Sequence, residues 1–179
     1  MKILLLVIAS VTLSLILWSR LVPSINTEQR PAITDEAVRA SYLIDGIRRR
    51  FSHEGLPTDR LEIDSAIRWL NSDEMALDSI QYVTSGNSGE IWDIRASDGV
   101  FFEDRNELAL TNGVVIDEHE QEARMTTHAM RLFMDQKLAT GEHRVLLTGR
   151  GSRTTGSAFR IDLGTNTATL IGDVQTNYE

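Results

Sequence analysis

The stretch from Trp92 to Ile116 constrains the fold of this chain more than any other. In it, apolar side chains recur at alternate positions, at Trp92, Ile94, Ala96, Val100, Phe102, Leu108 and Leu110. A period of two is typical of strands with one buried face, whereas helices repeat every 3.6 residues. Turn-forming residues at Ser97-Asp98-Gly99 and at Asp104-Arg105-Asn106 divide the stretch. It is therefore predicted to be a β-meander.

The pattern of this meander returns towards the C-terminus. Asn106-x-Leu108-x-Leu110 is repeated as Asn166-x-Ala168-x-Leu170, and each copy is followed by a glycine, Gly113 or Gly172. A weaker copy runs from Leu132 to Gly141. Copies spaced by roughly thirty residues predict one hairpin unit that is stacked several times, each unit burying its apolar face on the next.

The segment from Ser41 to Phe51 has two interpretations. Asp35–Arg39 has a helical composition, and a helix continuing from it would include Ser41–Phe51. A strand is the simpler interpretation, because a Gly- and Pro-containing turn at His53–Pro57 is followed by strict alternation from Leu61 to Trp69. With strands also indicated around Ile80, Val145 and Phe159, the sequence predicts an all-β, antiparallel domain over residues 41–179.

The first residues of the chain are strongly apolar. Ile3 to Trp18 contains only Ser and Thr as polar members, and the run extends to Val22 if Arg20 snorkels outward. That length is enough to span a bilayer. A cleaved signal peptide is the alternative, but no small-residue cleavage site follows. We expect a transmembrane anchor over residues 1–22 with Lys2 on the cytoplasmic side, a linker over 23–40, and export of the remainder.

Composition excludes several classes of function. The chain has no cysteine, so a disulfide framework and a thiolate zinc site are excluded. The net charge of −8 argues against binding to nucleic acid and against lying on an anionic membrane surface. An anionic amphiphile would therefore have to be held through its apolar part.

No motif predicts catalysis, a metal or a cofactor. Gly86-Asn87-Ser88-Gly89 resembles an oxyanion-binding loop, but no histidine occurs in a partner motif. Asp117–Glu122 surrounds His119 with carboxylates, yet strand geometry would send Glu118 and Glu120 to the face opposite His119, so a solvated loop is favoured. Gly149–Gly156 is predicted to be a glycine-rich loop without a phosphate-binding pattern. Arg48-Arg49-Arg50 is interpreted as a solvated face.

Several of these patterns together resemble the LptC family. They are the apolar N-terminus, Phe51-x-x-Glu54-Gly55-Leu56-Pro57, the meander from Trp92 to Val115, Thr126-Thr127-x-Ala129, Leu147-x-Gly149, Gly156-x-x-Phe159 and Asn166-x-Ala168-x-Leu170. The resemblance implies an antiparallel, two-sheet, twisted and open jelly-roll or half-pipe behind a single transmembrane helix. It also implies a periplasmic, inner-membrane-anchored protein that takes lipopolysaccharide from an ATP-driven transporter, LptB with LptF and LptG, and passes it to LptA.

The alternation and the resemblance together indicate roles for particular residues, the partner edges by resemblance alone. The apolar residues expected to line a lipid-binding interior are Trp92, Ile94, Phe102, Leu110, Ile116, Ile161, Ala168, Leu170, Val174 and Tyr178. Those expected to pair with partners are Tyr42, Ile44 and Ile47 at the transporter edge, and Ala168, Leu170, Val174 and Tyr178 at the LptA edge. Gly55, Gly99, Gly113, Gly149 and Gly156 are interpreted as turn or close-approach positions.

Three interpretations of the interior and of function stay open at this point. The apolar face is either a lipid conduit or a closed core. In the second case the protein is a structural adaptor that couples its partners through strand edges. A hydrolase that uses Ser88 is the third hypothesis.

Overall fold

The structure, a computed structural model, describes residues 40–69 and 72–178. Every regular element in these ranges is a β-strand, which confirms the all-β prediction and the strand interpretation of Ser41–Phe51. The strands are β1 (Ala40–Phe51), β2 (Pro57–Trp69), β3 (Glu74–Ser85), β4 (Ile91–Phe102), β5 (Glu107–Glu118), β6 (Ala123–Phe133), β7 (Leu138–Gly141), β8 (Val145–Gly149), β9 (Ser152–Gly156), β10 (Ala158–Asp162), β11 (Thr167–Ile171) and β12 (Gln175–Tyr178).

The N-terminal predictions fall outside this part of the chain. The expected anchor over residues 1–22, and the linker that follows it as far as residue 39, are not among the described residues. Within residues 40–69 and 72–178, no helix has the length and apolar character needed to cross a membrane.

All twelve strands belong to one open antiparallel sheet that branches at β6. Strands β1 to β6 pair in chain order. The Arg131–Phe133 part of β6 then pairs with β7, while its Arg124–Thr127 part pairs with β8. One branch continues through β10 to β11, and the other through β9 to β12. The two sheets expected from the sequence are thus two arms of one sheet, here called the β7 arm and the β8 arm.

A crease across the long strands separates the two arms. In β1, β3 and β5 the backbone enters the left-handed region, with φ of 53° at Asp45, 54° at Ser79, 60° at Asn112 and 76° at Gly113. The pairing of β5 with β6 shifts register between Thr111 and Val114, which flank Asn112 and Gly113. Irregularities of this kind bend a strand and increase its twist, so each long strand contributes one half to each arm.

The predicted turn at Ser97–Gly99 is wrong. Strand β4 continues through these residues, and its register with β5 shifts between Arg95 and Asp98. This β-bulge moves the alternation by one residue, so Phe101 is buried while Phe102 is only half-buried. A Cβ atom at Gly99 would lie 2.9 Å from the carbonyl oxygen of Ala109, so glycine serves a close approach between strands there.

The predicted glycine-rich loop at residues 149–156 is also wrong. These residues form the β8–β9 hairpin around Arg150-Gly151, and β9 pairs with β12 as well as β8. Threonine in β9 favours an extended backbone, which outweighs the flanking glycines. A Cβ atom at Gly149 would lie 3.4 Å from Ala123 Cα, and one at Gly156 would lie 3.2 Å from Leu170 Cβ.

The repeats are confirmed as hairpins with equivalent turns. Asn106, Lys137 and Asn166 each precede the second strand of a hairpin, and each has a positive φ, of 48°, 49° and 52°. The predicted turn at Asp104–Asn106 is therefore present. Because asparagine tolerates this conformation better than most residues, it marks two of the three turns in the sequence.

Side chains from both arms pack into one apolar core. Its fully buried members include Ile94, Leu108, Leu110, Val114, Ile116, Leu132, Val145, Phe159, Ile161 and Leu163. The arms also meet away from the core, where the backbone N–H of Asn87 donates to the carbonyl oxygen of Gly164 over 2.9 Å and the Lys137 ammonium donates to Ser85 O over 2.8 Å.

Candidate functional site: an apolar groove beside the first strand

An apolar groove opens between the two arms beside β1. Its volume is about 400 Å³, within the range of small-molecule binding sites. Both arms and the crease contribute to its lining, which consists of Leu43, Gly46, Ile47, Arg48, Leu61, Ile63, Met75, Leu77, Phe101, Glu103 and Asn106. Its floor is the same apolar surface that forms the core deeper in the domain.

The groove exists because β1 is an edge strand and because Gly46 has no side chain. A Cβ atom at Gly46 would lie 2.8 Å from Leu43 Cδ2 and 2.9 Å from Ile63 Cγ1. Each of β2 to β5 has a paired strand on both sides. Among the described strands β1 pairs with β2 alone, so the groove is left open at this end of the sheet.

Two arginines of β1 fasten this edge to β2 and to the β4–β5 and β6–β7 turns of the β7 arm. We call the five residues involved the β1 latch (Arg48, Arg50, Asp59, Asn106 and Asp135). Arg48 Nη2 donates to Asn106 Oδ1 over 3.2 Å, and Asn106 Nδ2 donates to Asp135 Oδ1 over 2.6 Å. Arg50 Nη1 lies 2.8 Å from Asp135 Oδ1, and Arg50 Nε lies 3.5 Å from Asp59 Oδ2. Arg48 and Arg49 are exposed, as expected for a solvated arginine face. The prediction is wrong for Arg50, which is half-buried and ion-paired with two carboxylates.

Asp59 is the buried end of the latch. Its carboxylate accepts hydrogen bonds from the Tyr82 hydroxyl over 2.7 Å and the Thr84 hydroxyl over 2.6 Å. Burial by itself raises the pKa of Asp59, but the bonds from Thr84, Tyr82 and Thr58 and the charge of Arg50 outweigh burial and lower it. Burial and the nearby carboxylate raise the pKa of Tyr82, so its hydroxyl stays a donor.

Half of the residues predicted to bind lipid lie in the closed part of the core. Trp92, Ile94, Leu110, Ile116 and Ile161 are each at most 5% exposed. Phe102 is half-buried on the opposite face of β4, with the Arg105 guanidinium 4.2 Å from its ring centroid. The four predicted lipid-binding residues nearest the C-terminus do not share one environment. Ala168, Val174 and Tyr178 are exposed, whereas Leu170 is partly buried and packs against the core.

The sequence reasoning missed most of the groove lining. The alternation at Leu61 and Ile63 predicts a strand with one buried face, but it does not distinguish a strand at an open edge from one in the closed centre. Gly46 carried no signal, because nothing in its neighbourhood indicates a turn. The edge position of β1 was the missing information, since it determines which apolar residues stay uncovered.

The predicted partner residues lie at the two ends of the sheet. Tyr42, Ile44 and Ile47 on β1 are 62%, 62% and 56% exposed, an unusual amount for large apolar side chains. At the far end, β11 and β12 are the last strands of the two branches. Val174, just before β12, and Tyr178 within it are also largely exposed. Among the described strands, the edge backbone of β1, β11 and β12 has no pairing strand on its outer side.

Other sequence candidates serve local structure. Ser88 donates its backbone N–H to the Glu90 carboxylate over 3.3 Å, and its loop docks on the β10–β11 turn through Asn87. Glu118 is buried and accepts backbone N–H groups of Glu120 and Gln121 over 3.1 and 2.6 Å. These hydrogen bonds stabilise the β5–β6 turn, so both oxygens of the Glu118 carboxylate have a structural role.

The sequence of the chain matches the model of a known protein family. A family described as "Lipopolysaccharide-assembly, LptC-related" has a model that matches residues 3–179. The chain belongs to this family, whose members are inner-membrane-anchored periplasmic components of lipopolysaccharide transport and not enzymes. No curated protein matches the chain.

Proposed function

We propose that this LptC-related protein receives lipopolysaccharide from the LptB, LptF and LptG transporter at its β1 edge and delivers it to LptA at its β11 and β12 edges. The observation that carries the proposal is the apolar groove, which opens at an exposed strand edge. A partner strand that paired with β1 would extend the sheet and line the groove from the far side. The groove would then continue into the partner.

The groove is suited to part of an amphiphile. Each methylene moved from water into such a lining gains about 0.8 kcal/mol. The lining is apolar except at its rim, where Arg48, Glu103 and Asn106 lie, so a polar head would stay in water. A volume of about 400 Å³ is at the small end for ligand sites, so the groove takes a portion of a lipid at a time.

Residues 1–22 are proposed to anchor the domain in the inner membrane. They form an apolar run long enough to span a bilayer, and the family match begins at residue 3, within this run. In this arrangement the domain is held beside the transporter, and the β1 edge, nearest in sequence to the anchor, is the one that docks on it.

A photo-reactive residue tests lipid contact directly. We expect capture of lipopolysaccharide in cells when the residue replaces Met75, which lines the groove, and little capture when it replaces Ala76, which is exposed on the same strand. Successive residues of a strand point to opposite faces, so the pair differs in face and hardly in position. Equal capture at both positions, or none at Met75, would refute lipid passage through the groove.

The adaptor hypothesis is kept because part of the interior is closed. If lipid never enters, position 75 captures no lipopolysaccharide, while residues at the strand edges still capture partner proteins. The burial of Trp92, Ile94 and Ile116 favours this alternative for the middle of the domain. The open groove favours lipid contact at the β1 end.

One substitution in each edge strand tests the assignment of the two edges. We expect Ile44→Asp to lower co-purification of the transporter about tenfold, because a charge on an edge strand opposes pairing with a second strand. LptA binding should be unchanged. The reverse pattern is expected for Thr176→Pro in β12, since proline removes a backbone donor from that edge strand. Loss of both partners in either variant would mean that the edges are assigned wrongly.

A further inference from the structure

Arg48 stands at the mouth of the apolar groove without a carboxylate partner. Among the residues that the structure describes, no Asp or Glu oxygen forms an ion pair with its guanidinium. Its contacts are the Asn106 side-chain oxygen, at 3.2 Å, and the Phe101 ring, whose centroid is 5.1 Å from Cζ. A guanidinium has five N–H donors, and the hydrogen bond to Asn106 occupies one of them.

The neighbouring charges on this rim are already neutralised. Arg50 lies between Asp135 and Asp59, and Glu103 pairs with Arg68 over 2.9 Å. Among the described residues that line the groove, Arg48 is therefore the cation without a carboxylate partner. The chain as a whole has a net charge of −8. Asn106 and the Phe101 ring hold the guanidinium in place, so a ligand does not have to order it.

We propose that Arg48 binds the anionic head of the amphiphile whose acyl chain lies in the groove, and so selects phosphorylated lipids over neutral ones. This inference rests on the proposed function, because it requires that the groove accept an acyl chain. The groove supplies the apolar contact, and the free N–H donors supply charge-assisted hydrogen bonds to phosphate oxygens. Arginine suits this role because its planar fork matches two oxygens at once.

The test uses the full chain in nanodiscs, with the photo-reactive residue at position 75. Capture is titrated with alkyne-tagged dodecyl phosphate and with alkyne-tagged dodecanol, which share a chain and differ in the head. We expect about tenfold stronger capture of the phosphate, because a hydrogen bond to a charged group contributes on that scale. Arg48→Gln should capture the two ligands equally, and Arg48→Lys should restore part of the preference for the phosphate.

Arg49→Gln is the matched control. It removes the same charge one residue away, from an exposed side chain that does not line the groove, and should keep the preference. A preference that survives in Arg48→Gln, or is lost equally in Arg49→Gln, overturns the proposal, as does equal capture of both ligands by the parent protein. Inorganic phosphate that competes as well as dodecyl phosphate would indicate a free-anion site and would also overturn it. If neither ligand is captured, the proposed function fails together with this inference.

Discussion

Replacing Asp59 with alanine is expected to lower the free energy of unfolding by about 3 kcal/mol, because it leaves several buried groups without a partner. The Tyr82 and Thr84 hydroxyls both lose their acceptor, and both side chains are about 1% exposed. Arg50 loses one of its two carboxylates, and its Nη2 atom is already buried without a hydrogen-bond partner. Urea unfolding followed by tryptophan fluorescence, to which the buried Trp92 contributes, measures the loss.

Asp64→Ala is the control for this substitution. Asp64 lies on the same strand, is exposed, and should change stability by no more than about 0.5 kcal/mol. A similar small effect for Asp59→Ala would show that the buried end of the latch is not a source of stability.

The pH dependence of the free energy of unfolding gives an independent measurement of the contribution of Asp59. The pKa of Asp59 is lowered in the folded protein, so its stabilising contribution is fully present above the ordinary value of 3.8 and is lost as the pH falls through the lowered value. We expect the parent protein to lose stability more steeply below about pH 4 than Asp59→Asn does. Burial raises the pKa of Asp117, but its bonds to Arg124 and Arg95 lower it overall. Asp117 is present in both proteins, so the difference isolates Asp59.

The sequence was most informative where the conformation of the backbone depends on the residue type itself. Asn106 and Asn166 marked turns correctly, because their tolerance of a positive φ is a property of the residue itself. Strand β1 was likewise indicated by the turn that follows it and by the alternation in β2. These local signals predicted an all-β domain. Its open form and its family were implied by the resemblance of motifs along the whole chain, and the family model confirms the family.

The errors arose where pairing between strands decides the outcome. Phe101 and Phe102 are identical neighbours, and only the register shift of β4 against β5 decides which of them is buried. The crease is a property of several strands side by side, so no single segment reveals it. The groove depends on what covers β1, and the latch on turns more than fifty residues away from Arg48 and Arg50.

Gly141 is packed against an aromatic ring of the neighbouring strand β10. It is directly opposite Phe159 in the β7–β10 ladder, and a Cβ atom there would lie 2.3 Å from Phe159 Cε1 and 3.0 Å from the carbonyl oxygen of Ala129. The ring therefore occupies the space that a side chain at position 141 would need. The sequence showed a glycine at the end of a repeat, but it could not show which ring lies against it.

Gly141→Ala is expected to destabilise the domain by about 2 kcal/mol, since overpacking a dense core forces side chains or backbone to move. Phe159→Ala should cost about 3 to 5 kcal/mol, because Phe159 is 2% exposed and its removal leaves a cavity. The double variant should cost at least about 1 kcal/mol less than the two single costs together, because the new methyl group then enters the space that the ring has left. Urea unfolding of the three variants gives this coupling directly.

Gly149→Ala separates this steric effect from the general effect of replacing glycine. Gly149 also ends a strand, its φ lies outside the left-handed region, and the nearest atom to an added Cβ is 3.4 Å away. Alanine there should be neutral or slightly stabilising, because it restricts the unfolded chain without a clash. If the Gly141 and Phe159 costs simply add, the ring does not lie on the glycine, and the β7–β10 pairing that carries the branch to the β11 edge is misplaced. The transport proposal would then lose one of its two delivery edges.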